Sequence, residues 1–195
     1  MRSRAATVSV QPEGLEYRPD FMTEEEERQA IAVMEAVDFH EFSMHGQTAR
    51  RTVRHYGLDY GYESWQLVAA DPMPEELNWV RERCAEFAEV KPEEFAQILF
   101  TRYPPGATIG WHRDAPMFGP KVAGVSFLSV CRMRFQRKVK EMREVFDIEL
   151  APRSAYILGG ESRSVWQHSI PPTKDLRYSI TFRTLRNPEK WLKTT

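Results

Sequence analysis

The chain has 195 residues, 42% of them hydrophobic and 12% aromatic, enough for one well-packed domain and short of two. Its net charge of -1 hides an asymmetry, because residues 1–49 sum to -6, residues 50–100 to -4 and residues 101–195 to +9. No run approaches the roughly 18 apolar residues of a membrane helix, and two cysteines, Cys84 and Cys131, exclude a disulfide scaffold and paired zinc spacing. Residues 1–14 hold two arginines but no apolar core of signal-peptide length, so a cytoplasmic address is expected, with nothing pointing to a membrane or an obligate protein partner. The basic C-terminal half suits an anionic partner or a solvated face turned to the acidic half.

Along the chain, Thr23 and Glu26 have the spacing of a helix capping box, and Ala30, Val33, Met34 and Val37 follow on one face. Arg50, Arg51, Arg54, Tyr56, Tyr60 and Tyr62 lie in a glycine-punctuated segment that reads as strands and turns. Pro74 suits a first helical turn, after which Leu77, Val80, Cys84 and Phe87 form a second stripe. From Phe95 onward, short apolar or alternating runs recur at 97–103, 122–130, 132–137, 145–150, 154–158 and 177–184. Pro104-Pro105-Gly106, Gly119-Pro120, Ala151-Pro152, Gly159-Gly160 and Pro171-Pro172 separate them as turns. Strands at this spacing predict a mainly β (α+β) fold, a sandwich or barrel buttressed by the two helices. The expected division is an extension over 1–95 packed on a core over 96–195, one structural domain in all.

Gly110-Trp111-His112-Arg113-Asp114 carries the chemistry. On an extended strand His112 and Asp114 point to the same side and grip one ion. His168, several strands later, returns beside them in a sandwich. Two histidines and a carboxylate on one side of an ion leave positions open for oxygen at non-haem iron(II), although the residues alone leave zinc open and His-x-Asp recurs by chance. His40, His45 and His55 lack such a partner and read as surface or packing histidines. In Arg177-Tyr178-Ser179-Ile180-Thr181-Phe182-Arg183, period two puts the apolar side chains on one face and both arginines on the other. Such a face is either solvated or the wall of a cavity that demands an anion. Arg177, nine residues past His168 on what reads as a neighbouring strand, can pair with one end of a dicarboxylate whose other end chelates the metal, with Tyr103 adding a hydroxyl.

These pieces together resemble the AlkB-like Fe(II)/2-oxoglutarate-dependent dioxygenases. The resemblance rests on Arg102-Tyr103-Pro104-Pro105-Gly106, His112-Arg113-Asp114, Gly160-Glu161-Ser162-Arg163 running into His168, and the Arg177–Arg183 strand, and it covers about residues 50–185. It implies a double-stranded β-helix (jelly-roll) core with an N-terminal extension that recognises substrate. It also implies iron ligands His112, Asp114 and His168, 2-oxoglutarate on Tyr103 and Arg177, O2 as cosubstrate, and Arg183 between the cosubstrate and substrate sides. Thr101 and Ser179 depart from the family, standing where asparagines are usual. The implied reaction removes alkyl groups from bases in DNA or RNA, releasing formaldehyde, succinate and CO2.

An extruded base favours aromatic partners, here Tyr60, Tyr62 and Trp65. Arg50, Arg51 and Arg54 are phosphate candidates, as is the strip of Arg132, Arg134, Arg137, Lys138, Lys140 and Arg143, which is expected as a hairpin rim beside the mouth. Trp111 reads as packing. The rival readings are the same oxygenation of a protein side chain or small molecule, and a metal-free β-sandwich that binds nucleic acid.

Overall fold

The structure of the protein is a computed structural model, and it describes residues 7–44, 47–60 and 67–191. Helix α1 (Glu24–Glu35) starts where the capping-box spacing places it: the Glu26 amide donates to Thr23 Oγ1 at 3.2 Å, and the Thr23 amide donates to the Glu26 carboxylate at 2.8 Å. Four glutamates in the first turn match the positive end of the helix dipole. Pro74 precedes a 3-10 turn over Glu75–Leu77, which leads into α2 (Asn78–Ala88). Arg83 of α2 reaches Glu26 at 2.7 Å and so ties the two helix starts together.

The strands are β1 (Thr7–Ser9), β2 (Leu15–Arg18), β3 (His40–Met44), β4 (Gln47–Tyr56), β5 (Leu58–Tyr60), β6 (Leu67–Ala69), β7 (Phe95–Tyr103), β8 (Ile109–His112), β9 (Phe118–Phe127), β10 (Cys131–Val139), β11 (Met142–Leu150), β12 (Ala155–Leu158), β13 (Gln167–Ile170) and β14 (Arg177–Leu185). Two short helices complete the chain, α3 (Gly160–Ser164) and α4 (Pro188–Trp191). One sheet has the order β1-β11-β10-β13-β8, the larger has the order β2-β12-β9-β14-β7-β4-β3, and β5 pairs with β6 alone. From β8 to β14 the chain alternates between the two large sheets, broken by the β10–β11 hairpin, which is the winding of a jelly roll. Strands β1, β2 and β4, all before residue 95, hydrogen-bond into the same two sheets.

Alternation along β14 assigns the layers. Tyr178, Ile180 and Phe182 turn to the helix side, where they bury with Phe95, Ile98 and Phe100 of β7, Val125 of β9 and Met34, Val80 and Cys84 of the helices. Each such side chain contributes about 1.5–3 kcal/mol by leaving water. The opposite face of the larger sheet looks at the smaller one across a second core that includes Tyr103, Tyr156, Leu158, Met133, Phe135 and Trp166. The four polar side chains Arg177, Ser179, Thr181 and Arg183 therefore point between the sheets, into a cavity of about 780 Å3.

Candidate functional site

His112 ends β8 and His168 begins the body of β13, and the two are direct cross-strand partners. Their rings lie 4.3 Å apart between centroids. Phe135 of β10, next across the sheet, backs His168 at 6.1 Å. Asp114 does not lie on the strand with His112, because β8 stops at His112 and the carboxylate sits two residues beyond, in the segment leading to β9. Arg163 of α3 holds that segment, donating from Nη2 to the carbonyls of Ala115, at 2.8 Å, and Phe118. The Gly160-Glu161-Ser162-Arg163 motif is thus a short helix and not the continuation of a turn, and its arginine positions the loop that carries Asp114.

Arg183 of β14 grips Asp114 Oδ1 from Nε at 3.1 Å and from Nη2 at 2.7 Å, and its Nη1 donates to Gln97 Oε1 at 2.7 Å. Both of these bonds to the aspartate fall on one oxygen, Oδ1. Burial alone would raise the Asp114 pKa, but Arg183, reinforced by His168, His112 and Arg163, outweighs it and holds the carboxyl well below the usual range. His168 moves the other way. Burial, with the neighbouring His112 and guanidinium groups, pushes it down to about 3 against the pull of Asp114. The pair of histidines therefore includes one imidazole fixed as neutral, beside an ionised carboxylate. Among the described residues no three donors are closed around one point, since Asp114 is drawn onto Arg183. The donor set nonetheless suits a divalent ion: two imidazoles within ring contact, one of them with a buried, unpaired Nδ1, and a buried, ionised carboxylate.

At the other end of the cavity stands Arg177, opposite Tyr103 on the neighbouring strand β7. It is 1% exposed. Nη2 donates to Ser126 Oγ at 2.9 Å, Nε and Nη1 have no partner among the described residues, and the guanidinium carbon lies 4.8 Å from the centre of the Tyr103 ring. A buried guanidinium with unpaired donors is costly unless an anion supplies the missing bonds. Arg177 and His168 are not on neighbouring strands. Pro171 and Pro172 carry the chain from the smaller sheet to the larger, so the two residues face each other across the cavity. Thr101 and Ser179 are buried cross-strand partners beside Arg177.

The other expected contacts divide. Arg51 lines the cavity and bonds the Thr108 carbonyl at 3.4 Å, and exposed Trp111, Arg113 and Arg186 mark its mouth. Arg50 lies exposed against Gly106. Arg54 is instead spent on Asp71 at 2.5 Å and His40 at 2.7 Å. Arg137 likewise binds Glu144 at 2.5 Å and Glu161 at 2.6 Å over the Trp166 ring, so it joins β11 to α3 and does not present itself at the mouth. Arg134 pairs with Asp147 at 3.4 Å and stacks on Trp111 at 5.5 Å. Trp111, at 39% exposure, is no packing residue. Its alternation with His112 on the same strand was the signal that it faces outward. Tyr62, Trp65 and His45 lie outside the described residues, as does the side chain of Tyr60. His55 bonds Asp59 at 3.0 Å and is largely buried.

With this geometry in hand, likeness to known proteins is specific. A profile of the family described as "2OG-Fe(II) oxygenase superfamily" matches residues 14–183. The tRNA (carboxymethyluridine(34)-5-O)-methyltransferase alkbh8 of Xenopus tropicalis is 28% identical over 169 residues, covering 84% of this chain and 26% of the relative. The alkylated DNA repair protein ALKBH8 homolog of Arabidopsis thaliana is 26% identical over 209 residues, covering 89% of this chain and 59% of the relative. The chain thus spans a quarter to three-fifths of the length of these relatives. The solved structure of OsALKBH1 shares the fold, with a TM-score of 0.65 at 14% identity over 90% of this chain and 98% of the other. The superfamily's cofactor is Fe(II), with 2-oxoglutarate and O2 as cosubstrates. The chain belongs to the 2OG-Fe(II) oxygenase superfamily, with a jelly-roll fold like that of OsALKBH1 and sequence similarity to the ALKBH8 proteins.

Proposed function

We propose that the chain oxidatively removes alkyl groups from nucleic-acid bases, with iron held by His112, Asp114 and His168 and 2-oxoglutarate anchored on Arg177. The observation that carries the reading is the buried Arg177 guanidinium, its Nε and Nη1 without partners among the described residues, facing a histidine pair across a cavity of about 780 Å3, which has room for a dicarboxylate and an extruded base together. Nucleic acid as the polymer is supported by the mouth, where Arg51, Arg113 and Arg186 surround an exposed Trp111 carrying Arg134 on its ring. It is supported also by relatives named for tRNA and for alkylated DNA repair.

When bound, iron with its keto acid and O2 supplies the oxidation of a C–H bond. The protein's own groups prepare that step. Arg177 neutralises the far carboxylate of the cosubstrate, and Tyr103 closes the same end. Burial keeps His168 neutral, so its lone pair is available to a metal at every working pH. Arg183 keeps Asp114 ionised and holds it by Oδ1. Hydroxylation of an N-methyl group gives an N-hydroxymethyl product, which breaks its C–N bond to release formaldehyde and the free base.

The deciding experiment reconstitutes the chain anaerobically with Fe(II) and 2-oxoglutarate, then admits O2 with methylated DNA or RNA oligonucleotides. Formaldehyde and succinate should appear in equal amounts with one polymer preferred. Succinate formation that neither polymer stimulates would overturn the nucleic-acid assignment while leaving the oxygenase intact.

A further inference from the structure

Tyr156 sits on β12 directly opposite Gly124 of β9. A Cβ built on Gly124 would lie 2.2 Å from the phenol Cζ and 2.4 Å from its hydroxyl oxygen. The ring therefore lies across the bare backbone of β9, and only glycine permits it there. This carries the hydroxyl from β12 toward β14, where Thr181 is the partner of Gly124. Along the cavity face of β14, Thr181 has Arg177 and Ser179 on one side and Arg183 on the other. The hydroxyl is thus delivered midway between the cationic anchor and the Asp114–Arg183 pair. Tyr103 and Arg177 at one end, and Asp114 and Arg183 at the other, all act on its proton, although burial is the largest influence and raises its pKa.

Three further facts single it out. Tyr156 lines the cavity. Its side chain is buried, and a phenol hydroxyl taken out of water needs a hydrogen-bond partner, which a molecule in the cavity can supply. And Thr101 and Ser179, both short, stand beside the anchor and leave width there.

We infer that Tyr156 is a cosubstrate-binding residue, its hydroxyl donating a hydrogen bond to a carboxylate oxygen of a 2-oxo diacid that lies between Arg177 and the histidines. The inference rests on the proposed function, which places the diacid on Arg177. It gives the bare backbone at Gly124 a purpose: the glycine is what lets the phenol reach across.

Calorimetric titration of 2-oxoglutarate into the full chain loaded with Mn(II), without O2, tests this by binding alone. Tyr156→Phe should weaken binding roughly ten- to a hundredfold, the range of a hydrogen bond to a charged group, with an unchanged melting temperature. Gly124→Ala keeps the hydroxyl but displaces it, and should weaken binding comparably; it decides the matter if the phenylalanine variant does not fold. Unaltered affinity in the folded variants overturns the inference. Arg177→Ala separates the two levels: if it binds normally, the cosubstrate placement itself is wrong, whereas if it alone loses binding, only the role of Tyr156 falls.

Discussion

Asp114 and Arg183 hold opposite charges at 5% and 8% side-chain exposure, so neither has water to fall back on. Replacing Arg183 with leucine should cost about 3–5 kcal/mol in urea unfolding, because it strands a buried carboxylate. Combining Arg183→Leu with Asp114→Asn should restore much of that loss; a double variant as unstable as the single one would show that the charge pair is not the cause. The pair illustrates what single residues disclosed. Period two on the arginine strand was enough to put Arg177 and Arg183 on one face, and the structure turns that face inward. That Arg183 would be paired with Asp114 was not legible, since their contact spans 69 residues. Arg137 shows the same blindness from the other side. It belongs to the basic strip expected as a rim, but Glu161 arrives from another element and takes it.

Elements were legible in proportion to their length and to the strength of their local signals. The capping box announced α1 to the residue, and the longer strands β7, β10, β11 and β14 fall within a few residues of the expected runs. Strands β1, β2 and β13 have three or four residues each, too few to show a period, and they owe their conformation to the neighbouring strands, β1 and β2 at sheet edges and β13 between β10 and β8. Glu26 is where the element scale meets pH. Its hydrogen bonds with Arg83, and then the Thr23 amide, bring its pKa down to about 2 from an ordinary value of 4.5. A depressed carboxyl stabilises the fold above its unfolded pKa and loses that contribution as pH falls through the folded one, so the window is about pH 4.5 to 2. Since both partners are about a third exposed, Glu26→Gln should cost only about 1 kcal/mol at pH 7. The difference from the parent protein should close as urea midpoints are followed down to pH 2, and a difference that persisted there would remove the electrostatic explanation.

For the whole molecule, the charge asymmetry of the sequence becomes a located feature, with exposed Arg113 and Arg186 at the cavity mouth. Affinity for single-stranded oligonucleotides should fall with salt, and replacing both arginines by alanine should flatten the log–log slope by about 0.7 for each phosphate contact removed. An unchanged slope would mean that the polymer runs elsewhere. Turn spacing and alternation made a sandwich or barrel legible, and the family resemblance narrowed it to a jelly roll; which strands faced which was not legible, because nothing local to Pro171-Pro172 says that the chain changes sheets there. That change of sheets has a mechanical result. The histidines belong to one layer and Arg177 to the other, so a small molecule that is held by metal and guanidinium at once becomes a rivet through the sandwich, and breathing of the two layers must wait for its departure.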